Sequence, residues 1–308
     1  AHGPADLLLA TSMLDLAGML GVARQAVGGV PAALYFHENQ LTYPSVGRTR
    51  AEAALGMANW ASVVAADGVA FNSEFHRTAF FEALPGFLRA YPDRRHDHLI
   101  PAARRRSAVV PVGVDLQRIG PLRERSGPAT FLWNHRWDPD KDPAAALAAF
   151  AVLAERGDDF RVVLAGEPFV DQHDEHRPAI EALGDRVVAL GYLNDDGYVE
   201  ALHIADVVVS TALQEFFGIS VVEAMYAGAT PILPDRLVYP ERVPAGMRPA
   251  CLYRTPAQLV DRLAAVAADP AARRADAAAL RASIERFDWS AIAPVTDAWL
   301  ESVSEGGR

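Results

Sequence analysis

Short apolar runs alternate along the chain with longer segments in which apolar residues recur at helical spacing. In the first half, the runs predict strands near residues 6–11, 33–37, 69–72 and 108–112, with helices near 49–66 and 74–84. In the second half, strands are predicted near residues 130–134, 161–165, 187–191, 207–211 and 230–233. Such alternation is typical of parallel sheets covered by helices, so the sequence predicts an α/β fold.

A segment without hydrophobic period separates the two halves. Residues 113–129, GVDLQRIGPLRERSGPA, are rich in glycine, proline and charge, which predicts an interdomain linker. The helix after the first strand of the second half has a clear start, with Asp142 as N-cap and Pro143 as its first residue. We therefore expect an N-terminal domain over residues 1–115, a C-terminal domain over 116–290, and a helix over 291–308 that crosses back to the first domain.

Composition narrows the class of protein. Of the 308 residues, 51% are hydrophobic and 22% are charged, as in ordinary soluble domains, and no apolar run is long enough to span a bilayer. The formal net charge of −10 disfavours a general affinity for nucleic acid or anionic lipid. The single cysteine, Cys251, and the lack of a signal-peptide pattern predict a cytoplasmic location. Because the sequence begins without methionine, we expect a trimmed or partial polypeptide.

Two cations follow the first predicted strand of the second domain. The stretch FLWNHRWDPDKDP places Arg136 and Lys141 five residues apart, in the loop before the capped helix. Such a pair suits a diphosphate, because arginine offers a bidentate fork and lysine a point charge. The spacing by itself favours two solvated surface charges, so a second motif is needed to support the diphosphate.

The stretch QEFFGISVVEA, which follows a later strand, supplies that second motif. A helix is predicted to begin near Gly218, so that the free amides of Gly218 and Ile219 face a crevice and hold a phosphate. Glu215 is a carboxylate at the carboxyl end of a sheet and has no local structural role. Glu223 has an alternative explanation, as the last residue of an S-x-x-E capping box that begins at Ser220.

Together the two motifs resemble the nucleotide-sugar site of retaining glycosyltransferases of the GT-B fold, family 4 in particular. The resemblance rests on two glutamates with seven residues between them, one a glycine, preceded by the arginine and lysine. It implies two Rossmann-like domains that face a central cleft. The residues expected at the donor are Glu215 for the sugar hydroxyls, Glu223 for the ribose, Arg136 and Lys141 for the diphosphate, Phe217, Gly218 and Ile219 beside the phosphates, and Gly166, Tyr192 and Leu193 near the base.

A closer resemblance extends over both domains. The motifs YFHENQLTYP, VAFNSEF, WNHRWDPDKDP, GYL, STALQEFFG and LVYPE are similar, in this order, to those of the tRNA-queuosine mannosyltransferase family. The resemblance implies GDP-mannose as donor, queuosine in a tRNA anticodon as acceptor, and retention of configuration. It places His37, Glu38, Asn39 and Gln40 on the acceptor side, with His37 beside the reacting sugar as a catalytic residue. A hydrogen-bonded histidine at a strand end is the structural alternative for His37.

The first domain departs from that family. Its members begin with another strand and a glycine-rich loop that approaches the acceptor, and nothing equivalent precedes Asp6. The four strands predicted in this domain also fall short of the larger sheet expected. We therefore expect an incomplete N-terminal domain that lacks part of the acceptor site.

A cationic block in the first domain is a further candidate for RNA contact. Residues 87–106 hold six arginines, including the consecutive Arg104, Arg105 and Arg106, and such a block binds RNA phosphates. A solvated surface loop explains the block equally well. The stretch DQHDEHR, residues 171–177, superficially resembles a metal site, but its loose spacing favours a polar loop. No metal or other cofactor is expected, because two cations already serve the diphosphate.

Two other functions stay open at this stage. One is a family 4-like glycosyltransferase that acts on a different small molecule or glycan, for which the cationic block would be incidental. The other is a non-catalytic protein that binds a nucleotide sugar without transfer or hydrolysis. The residues do not distinguish the base or the sugar of the donor.

Overall fold

Two parallel β-sheets organise the protein, one in each of two compact units. The computed structural model describes residues 5–42, 50–91, 96–167 and 172–306, with the backbone alone at 50 and 172–174. The first unit comprises Ala1–Val112 with Ser290–Arg308, and the second comprises Gly113–Trp289. The predicted α/β class with two sheet domains is confirmed.

The first sheet contains four strands within the described residues. They are β1 (Leu8–Thr11), β2 (Ala32–Phe36), β3 (Gly68–Phe71) and β4 (Ser107–Val109), paired in that order and all parallel. The helices of this part are α1 (Leu16–Val22), α2 (Arg24–Val27), α3 (Arg50–Ala65), α4 (Glu74–Leu88) and α5 (Ile100–Arg105). The core is aromatic: the rings of Phe36 and Phe71 stack at 4.7 Å, and Phe80 of α4 packs against both.

The second sheet contains six parallel strands within the described residues. They are β5 (Ala129–Asn134), β6 (Phe160–Ala165), β7 (Val187–Gly191), β8 (Val207–Val209), β9 (Thr230–Pro234) and β10 (Leu252–Tyr253), in the order β10-β9-β8-β5-β6-β7. The helices that follow β5 in the chain are α6 (Pro143–Arg156), α7 (Gln172–Leu183), α8 (Asp195–Ile204), α9 (Ile219–Tyr226), α10 (Tyr239–Arg242), α11 (Arg248–Cys251), α12 (Pro256–Ala268), α13 (Pro270–Arg274), α14 (Ala277–Ile284) and α15 (Trp289–Gly306), and the last of them belongs to the first unit. Across the described ranges, no helix combines the length and the apolar character needed to cross a membrane.

The central strand and its helix form where the sequence pattern predicts them. Every residue of β5 is buried, as expected for a strand covered by helices on both faces. Asp142 adopts a left-handed conformation (φ 48°), and its carboxylate accepts from the amide of Ala145 at 3.2 Å. Pro143 is the first residue of α6, and Gly157 ends the helix at φ 81°. Both ends of this helix are therefore fixed by local sequence.

Several elements differ from the pattern-based expectation, α1, β8 and β10 among them. The short helix α1 and the two-residue strand β10 were not predicted, because neither is long enough to show a period. Strand β8 ends at Val209, two residues before the predicted end. Beyond it, Thr211 directs its hydroxyl to the carbonyl groups of the loop after β5.

The C-terminal helix α15 packs on the first unit. Its residues Trp299 and Val303 form one apolar cluster with Ala33, Ala70 and Val110. A Cβ atom at Gly68 would lie 2.2 Å from a methyl group of Val303, so only glycine lets the helix approach the sheet this closely. Residues 290–306 thus complete the core of the first unit rather than extend the second.

Candidate functional site

The chain reverses its direction of growth in the second sheet beside β5. From β5 it builds β6 and β7 on one side, and it then returns to build β8, β9 and β10 on the other. Such a reversal opens a crevice at the carboxyl ends of the central strands, where α/β sheets bind ligands. The loops after β5 and β8 meet at this edge of the sheet.

Hydrogen bonds tie those two loops together. The carbonyl of Asp140 accepts from the amides of Leu213 (2.7 Å) and Gln214 (3.3 Å). In the opposite direction, the hydroxyl of Thr211 donates to the carbonyl of Lys141, at 2.8 Å. The segments that carry the two sequence motifs therefore form one connected structure.

Lys141 and Glu215 meet in this structure although 74 residues separate them. The Nζ atom of Lys141 lies 3.4 Å from Oε2 of Glu215 and 3.1 Å from Oδ2 of Asp140, and it donates to the carbonyl of Gln214 at 2.9 Å. Only 12% of the Lys141 side chain and 18% of the Glu215 side chain are exposed. Lys141 is also the only lysine of the sequence, which contains 28 arginines. The single lysine is a sequence signal for the site that is independent of the motif spacing.

The other oxygen of Glu215 is held by backbone amides, so the expectation that Glu215 has no local structural role was wrong. Its Oε1 atom accepts from the amides of Phe216 (3.1 Å), Phe217 (3.2 Å) and Gly218 (3.0 Å). Burial alone would raise the pKa of Glu215, but the charge of Lys141, together with these hydrogen bonds, lowers that pKa below its ordinary value. Glu215 is therefore ionised at neutral pH and fixed in direction.

The amino end of α9 follows directly. Gly218 is the N-cap of α9, with φ 82°, a conformation that glycine adopts without strain. Its amide, which the sequence assigns to a phosphate, donates to Glu215 in this structure. Ile219 begins the helix, where an amide has no intrahelical acceptor. The side chain of Phe217 is buried 5.4 Å from the ring of Phe287, so only its backbone faces this edge.

The capping box considered for Glu223 is not formed. The N-cap of α9 is Gly218, so Ser220 lies inside the helix and cannot cap it. Glu223 is buried, and its carboxylate accepts from Nη2 of Arg118 at 2.5 Å and from the hydroxyl of Tyr198 at 2.8 Å. Neither Arg118 nor Tyr198 was predicted, since no local pattern links them to a glutamate 105 or 25 residues away.

Two buried acceptors lie at the end of β5. Asn134 donates through Nδ2 to the hydroxyl of Tyr198 and to the carbonyl of Ser220, both at 3.1 Å, but its Oδ1 has no partner among the described residues. The Nε2 atom of His135 is also buried without a partner in the described ranges. Burial, assisted by the charge of Lys141, lowers the pKa of His135 to about 4, so its ring is neutral at pH 7.

Arg136 differs from Lys141 in its surroundings. Its side chain is 64% exposed, and its Nη2 atom lies 3.0 Å from Oδ2 of Asp138. Lys141 is held by groups of its own chain, whereas Arg136 faces solvent. Of the predicted cation pair, Arg136 is the one with freedom to turn toward a ligand.

The residues expected near the base follow the neighbouring strands. Gly166 comes after β6, and its amide donates to the carbonyl of Gly191 at 3.0 Å. A Cβ atom at position 166 would lie 1.9 Å from the carbonyl oxygen of His135, so only glycine fits there. Tyr192, which is exposed, and Leu193 come directly after β7. All three predicted residues therefore share the sheet edge that carries the cations.

In the first unit, the HENQ stretch follows β2 at the carboxyl end of its sheet. His37 is exposed, with its ring 4.7 Å from that of Tyr35, and partial burial lowers its pKa although Glu38 acts in the opposite direction. Gln40 donates from its side chain to Glu38 at 3.1 Å and from its backbone to Asn59 at 2.9 Å. The His37 side chain is thus accessible at this edge, and its place beside the acceptor stays a prediction.

Asn39 has a different setting from its neighbours. It is fully buried, and its Oδ1 atom accepts from the amides of Leu41 and Thr42, each at 3.0 Å. These bonds fold the loop after β2. Because the Asn39 side chain is buried, it does not face an acceptor directly. Any effect of Asn39 on the acceptor would be indirect, through the loop that it holds in place.

The three consecutive arginines lie at the opposite end of the first sheet. Arg104 and Arg105 end α5 and Arg106 follows, just before β4, whereas the HENQ stretch comes after a strand that runs parallel to it. Arg106 donates through Nη2 to the carbonyls of Val63 (2.5 Å) and Val64 (3.1 Å), and so caps the end of α3. Arg104 and Arg105 are exposed. The structure therefore separates this block from the predicted acceptor loop by the length of the sheet.

Parts of the predicted segments lie outside the described residues. They are Tyr43 and Pro44 of the YFHENQLTYP motif, Arg94 and Arg95 of the cationic block, and Asp171 of the DQHDEHR stretch. The rest of that stretch begins α7, where a loop was predicted, because the helix continues to Ile180 and Leu183 in the core. Within the described part of the chain, no three His, Cys, Asp or Glu side chains are placed to hold a metal ion.

Two known families match the chain, one after the other. Residues 1–114 match the family described as tRNA-queuosine alpha-mannosyltransferase N-terminal, and residues 118–281 match the glycosyl transferases of group 1. The tRNA-queuosine alpha-mannosyltransferase of Drosophila melanogaster is 34% identical over 249 residues, which cover 77% of this chain and 66% of that protein. The chain thus spans just under two thirds of the length of this relative. The resemblance drawn from the sequence motifs is confirmed.

Solved structures share the fold. A sucrose-phosphate synthase from Thermosynechococcus elongatus superposes with a TM-score of 0.73 and 20% identity, over 97% of this chain and 73% of that one. The Anabaena protein HepE in complex with UDP gives a TM-score of 0.70 at 20% identity, over 96% and 79% of the two chains. These neighbours confirm the predicted GT-B class of two Rossmann-like domains.

Proposed function

Because the chain belongs to the glycosyl transferases of group 1, and its first unit to the N-terminal domain family of tRNA-queuosine alpha-mannosyltransferases, we propose that it transfers mannose to the queuosine of a tRNA anticodon. The proposed donor is GDP-mannose, and the proposed acceptor is a hydroxyl of the queuosine cyclopentene-diol, in the cytoplasm. The observation that carries the proposal is the ion pair of Lys141 with Glu215, which joins the loops after β5 and β8 directly before the helix that carries Glu223.

The donor would lie along this edge of the second sheet. Lys141 and the exposed fork of Arg136 would hold the diphosphate, together with the first amides of α9. Glu223 would hold the ribose, while Glu215 would hold hydroxyls of the sugar. Negative charge grows on the phosphate oxygens as the sugar leaves, so cations already aimed there lower the barrier. No metal is needed in this arrangement.

The reaction would exchange one bond at the anomeric carbon for another. The bond to the diphosphate oxygen breaks, the acceptor oxygen bonds to the same carbon, and the acceptor proton passes to the departing phosphate oxygen. Retention by double displacement would need a free carboxylate nucleophile, but Glu215 accepts four hydrogen bonds, which reduce its nucleophilicity. We therefore favour attack on the face that the diphosphate leaves, with His37 beside the reacting sugar.

A transfer assay on defined tRNA tests this proposal. The protein is incubated with GDP-mannose and a queuosine-containing tRNA, and the digested nucleosides are analysed by mass spectrometry for mannosyl-queuosine. The same tRNA without queuosine is the matched control. We expect product with the first tRNA only, and we expect Glu215→Gln to lower the yield by roughly 100-fold.

Other outcomes identify the alternatives. Transfer to small acceptors or glycans, but not to tRNA, would show a group 1 enzyme with a different acceptor. Binding of GDP-mannose without transfer or hydrolysis would show a nucleotide-sugar-binding protein. A panel that includes UDP-glucose tests the base and the sugar in the same experiment.

A further inference from the structure

Arg242 is a buried cation that packs against the Glu215 loop, residues 210–218 between β8 and α9. It ends α10, and only 3% of the residue is exposed. Its guanidinium packs against two aromatic rings, 4.3 Å from the centroid of Phe217 and 4.8 Å from that of Phe287. Its Nε atom donates to the carbonyl of Phe217 at 2.8 Å. None of the donor or acceptor assignments above uses this residue, although it follows the LVYPE motif directly.

The bond from Arg242 fixes a whole peptide group. The carbonyl of Phe217 and the amide of Gly218 belong to one planar trans peptide and point in opposite directions. With the carbonyl held by Arg242, the amide must point the other way, and it meets Oε1 of Glu215 at 3.0 Å. Because Gly218 tolerates many backbone conformations, this peptide could otherwise rotate.

A second residue of the same motif supports the loop. The hydroxyl of Tyr239 lies 2.7 Å from the hydroxyl of Ser210, and a Cβ atom at Gly218 would lie 3.7 Å from the Tyr239 ring. Leu237, just before them, adopts a left-handed conformation (φ 58°), which is uncommon for leucine. The LVYPE motif therefore packs against the loop. The conformation of Leu237 is set by the surrounding structure and not by local preference alone.

We propose that Arg242 is a positioning residue for glycosyl transfer, which orients the Phe217–Gly218 peptide and thereby the Glu215 carboxylate. A purely structural role would be filled at lower cost by an apolar side chain, since burying a guanidinium requires its desolvation. Two aromatic faces and the Phe217 carbonyl compensate for part of that penalty. The kinetic part of this proposal, the effect of Arg242 on transfer, rests on the proposed function. The structural part, the orientation of the Phe217–Gly218 peptide, does not.

Hydrogen exchange of the unliganded full chain tests the structural part. Arg242→Lys keeps the charge but removes the donor that reaches Phe217. Arg248→Lys is the matched control, because Nε of Arg248 also donates to a backbone carbonyl, that of Val243 at 3.2 Å. We expect exchange at the amides of residues 216–218 to rise at least about tenfold in Arg242→Lys and to stay unchanged in the control. Equal exchange in the two variants would overturn the proposal.

A double-mutant cycle tests the kinetic part. Arg242→Lys should lower kcat by roughly 10- to 100-fold while the donor KM stays within about threefold, because the loss is one of orientation. In a Glu215→Gln background, the same substitution should add less than about a twofold loss. Fully additive losses would contradict the proposal.

A second variant covers the case in which Arg242→Lys does not fold. Phe287→Leu keeps every hydrogen bond of Arg242 but removes one of the two rings against which its guanidinium packs, and we expect it to raise loop exchange to an intermediate level. Unchanged exchange in this variant would overturn the proposal. If the wild-type protein transfers no mannose, the proposed function fails, while the exchange measurement still decides the role of Arg242.

Discussion

The carboxyl ends of the two sheets differ in how their polar residues are held. In the second unit, Lys141, Glu215 and Glu223 are bonded to groups of the same chain. In the first unit, His37 is exposed, and Glu38 is held by the side chain of Gln40. The chain itself therefore fixes the polar groups at the second edge, whereas the His37 side chain stays accessible at the first.

Replacing Lys141, in the second unit, should lower the rate of transfer more than any other substitution proposed. Lys141→Met should lower transfer by roughly 1000-fold, because the diphosphate loses a fixed charge and Glu215 loses its partner. Initial rates with GDP-mannose measure the effect. Lys141→Arg, which keeps the charge but not the shape, should recover only part of the rate. Near wild-type activity of Lys141→Met would show that this edge of the second sheet does not bind the donor diphosphate.

His37 gives the corresponding test for the first unit. His37→Ala should lower kcat by roughly 100-fold with unchanged affinity for the donor, as expected of a group beside the reacting atoms. His98→Ala is the control, since His98 is an exposed histidine of the same unit. Titration calorimetry with GDP-mannose supplies the affinity. A loss of donor affinity equal to the loss of rate would place His37 in donor binding instead.

A smaller effect is expected at the buried glutamate. Glu223→Gln should raise the donor KM by about tenfold with kcat nearly unchanged, because the ribose contact is the same in ground and transition states. Glu200→Gln is the matched control, since Glu200 pairs with Arg123 at 2.7 Å on the surface. Steady-state kinetics separate the two parameters. Similar changes in both variants would argue against a ribose contact.

The sequence predicts the parts of this site that depend on local order. Apolar runs predict the strands, and the Asp142 and Pro143 pair predicts the start of α6, because each is encoded within a few residues. The bonds of Glu223 to Arg118 and Tyr198 depend on which loops the fold brings together, so no spacing indicates them. The same is true of Arg242, whose role depends on a peptide 25 residues away.

Acid should weaken each unit through a buried histidine with a strongly lowered pKa. Burial lowers the pKa of His76 to about 3 in the first unit and that of His135 to about 4 in the second, from an ordinary value of 6.5. As the pH falls, the unfolded chain therefore takes up protons at these histidines at a higher pH than the folded protein does. As the pH falls below 6.5, each histidine should reduce the free energy of unfolding by about 1.4 kcal/mol per pH unit.

Denaturant titrations between pH 7 and pH 5 measure this effect. Removing one histidine should reduce the slope with pH, so His135→Asn should give a shallower dependence than the wild type. His98→Ala, which removes an exposed histidine, should leave the slope unchanged. An identical slope in His135→Asn would show that other groups govern the acid response.

The smallest effect is expected at the amino end of the first sheet. Arg104→Gln with Arg105→Gln should weaken tRNA binding by about threefold and flatten its salt dependence, because exposed arginines neutralise phosphates. Arg106 is left intact, since it caps α3. Arg273→Gln, in the second unit, is the control. Unchanged salt dependence would exclude the block from RNA contact.

The Glu215 loop has its amides already engaged by a carboxylate of the same chain. Any anion that took these amides would have to displace a group of equal sign, and the displaced carboxylate, which stays tethered beside Lys141, would repel it. A diphosphate at this edge would therefore depend on Lys141, Arg136 and the amide of Ile219 rather than on the amides that Glu215 already occupies.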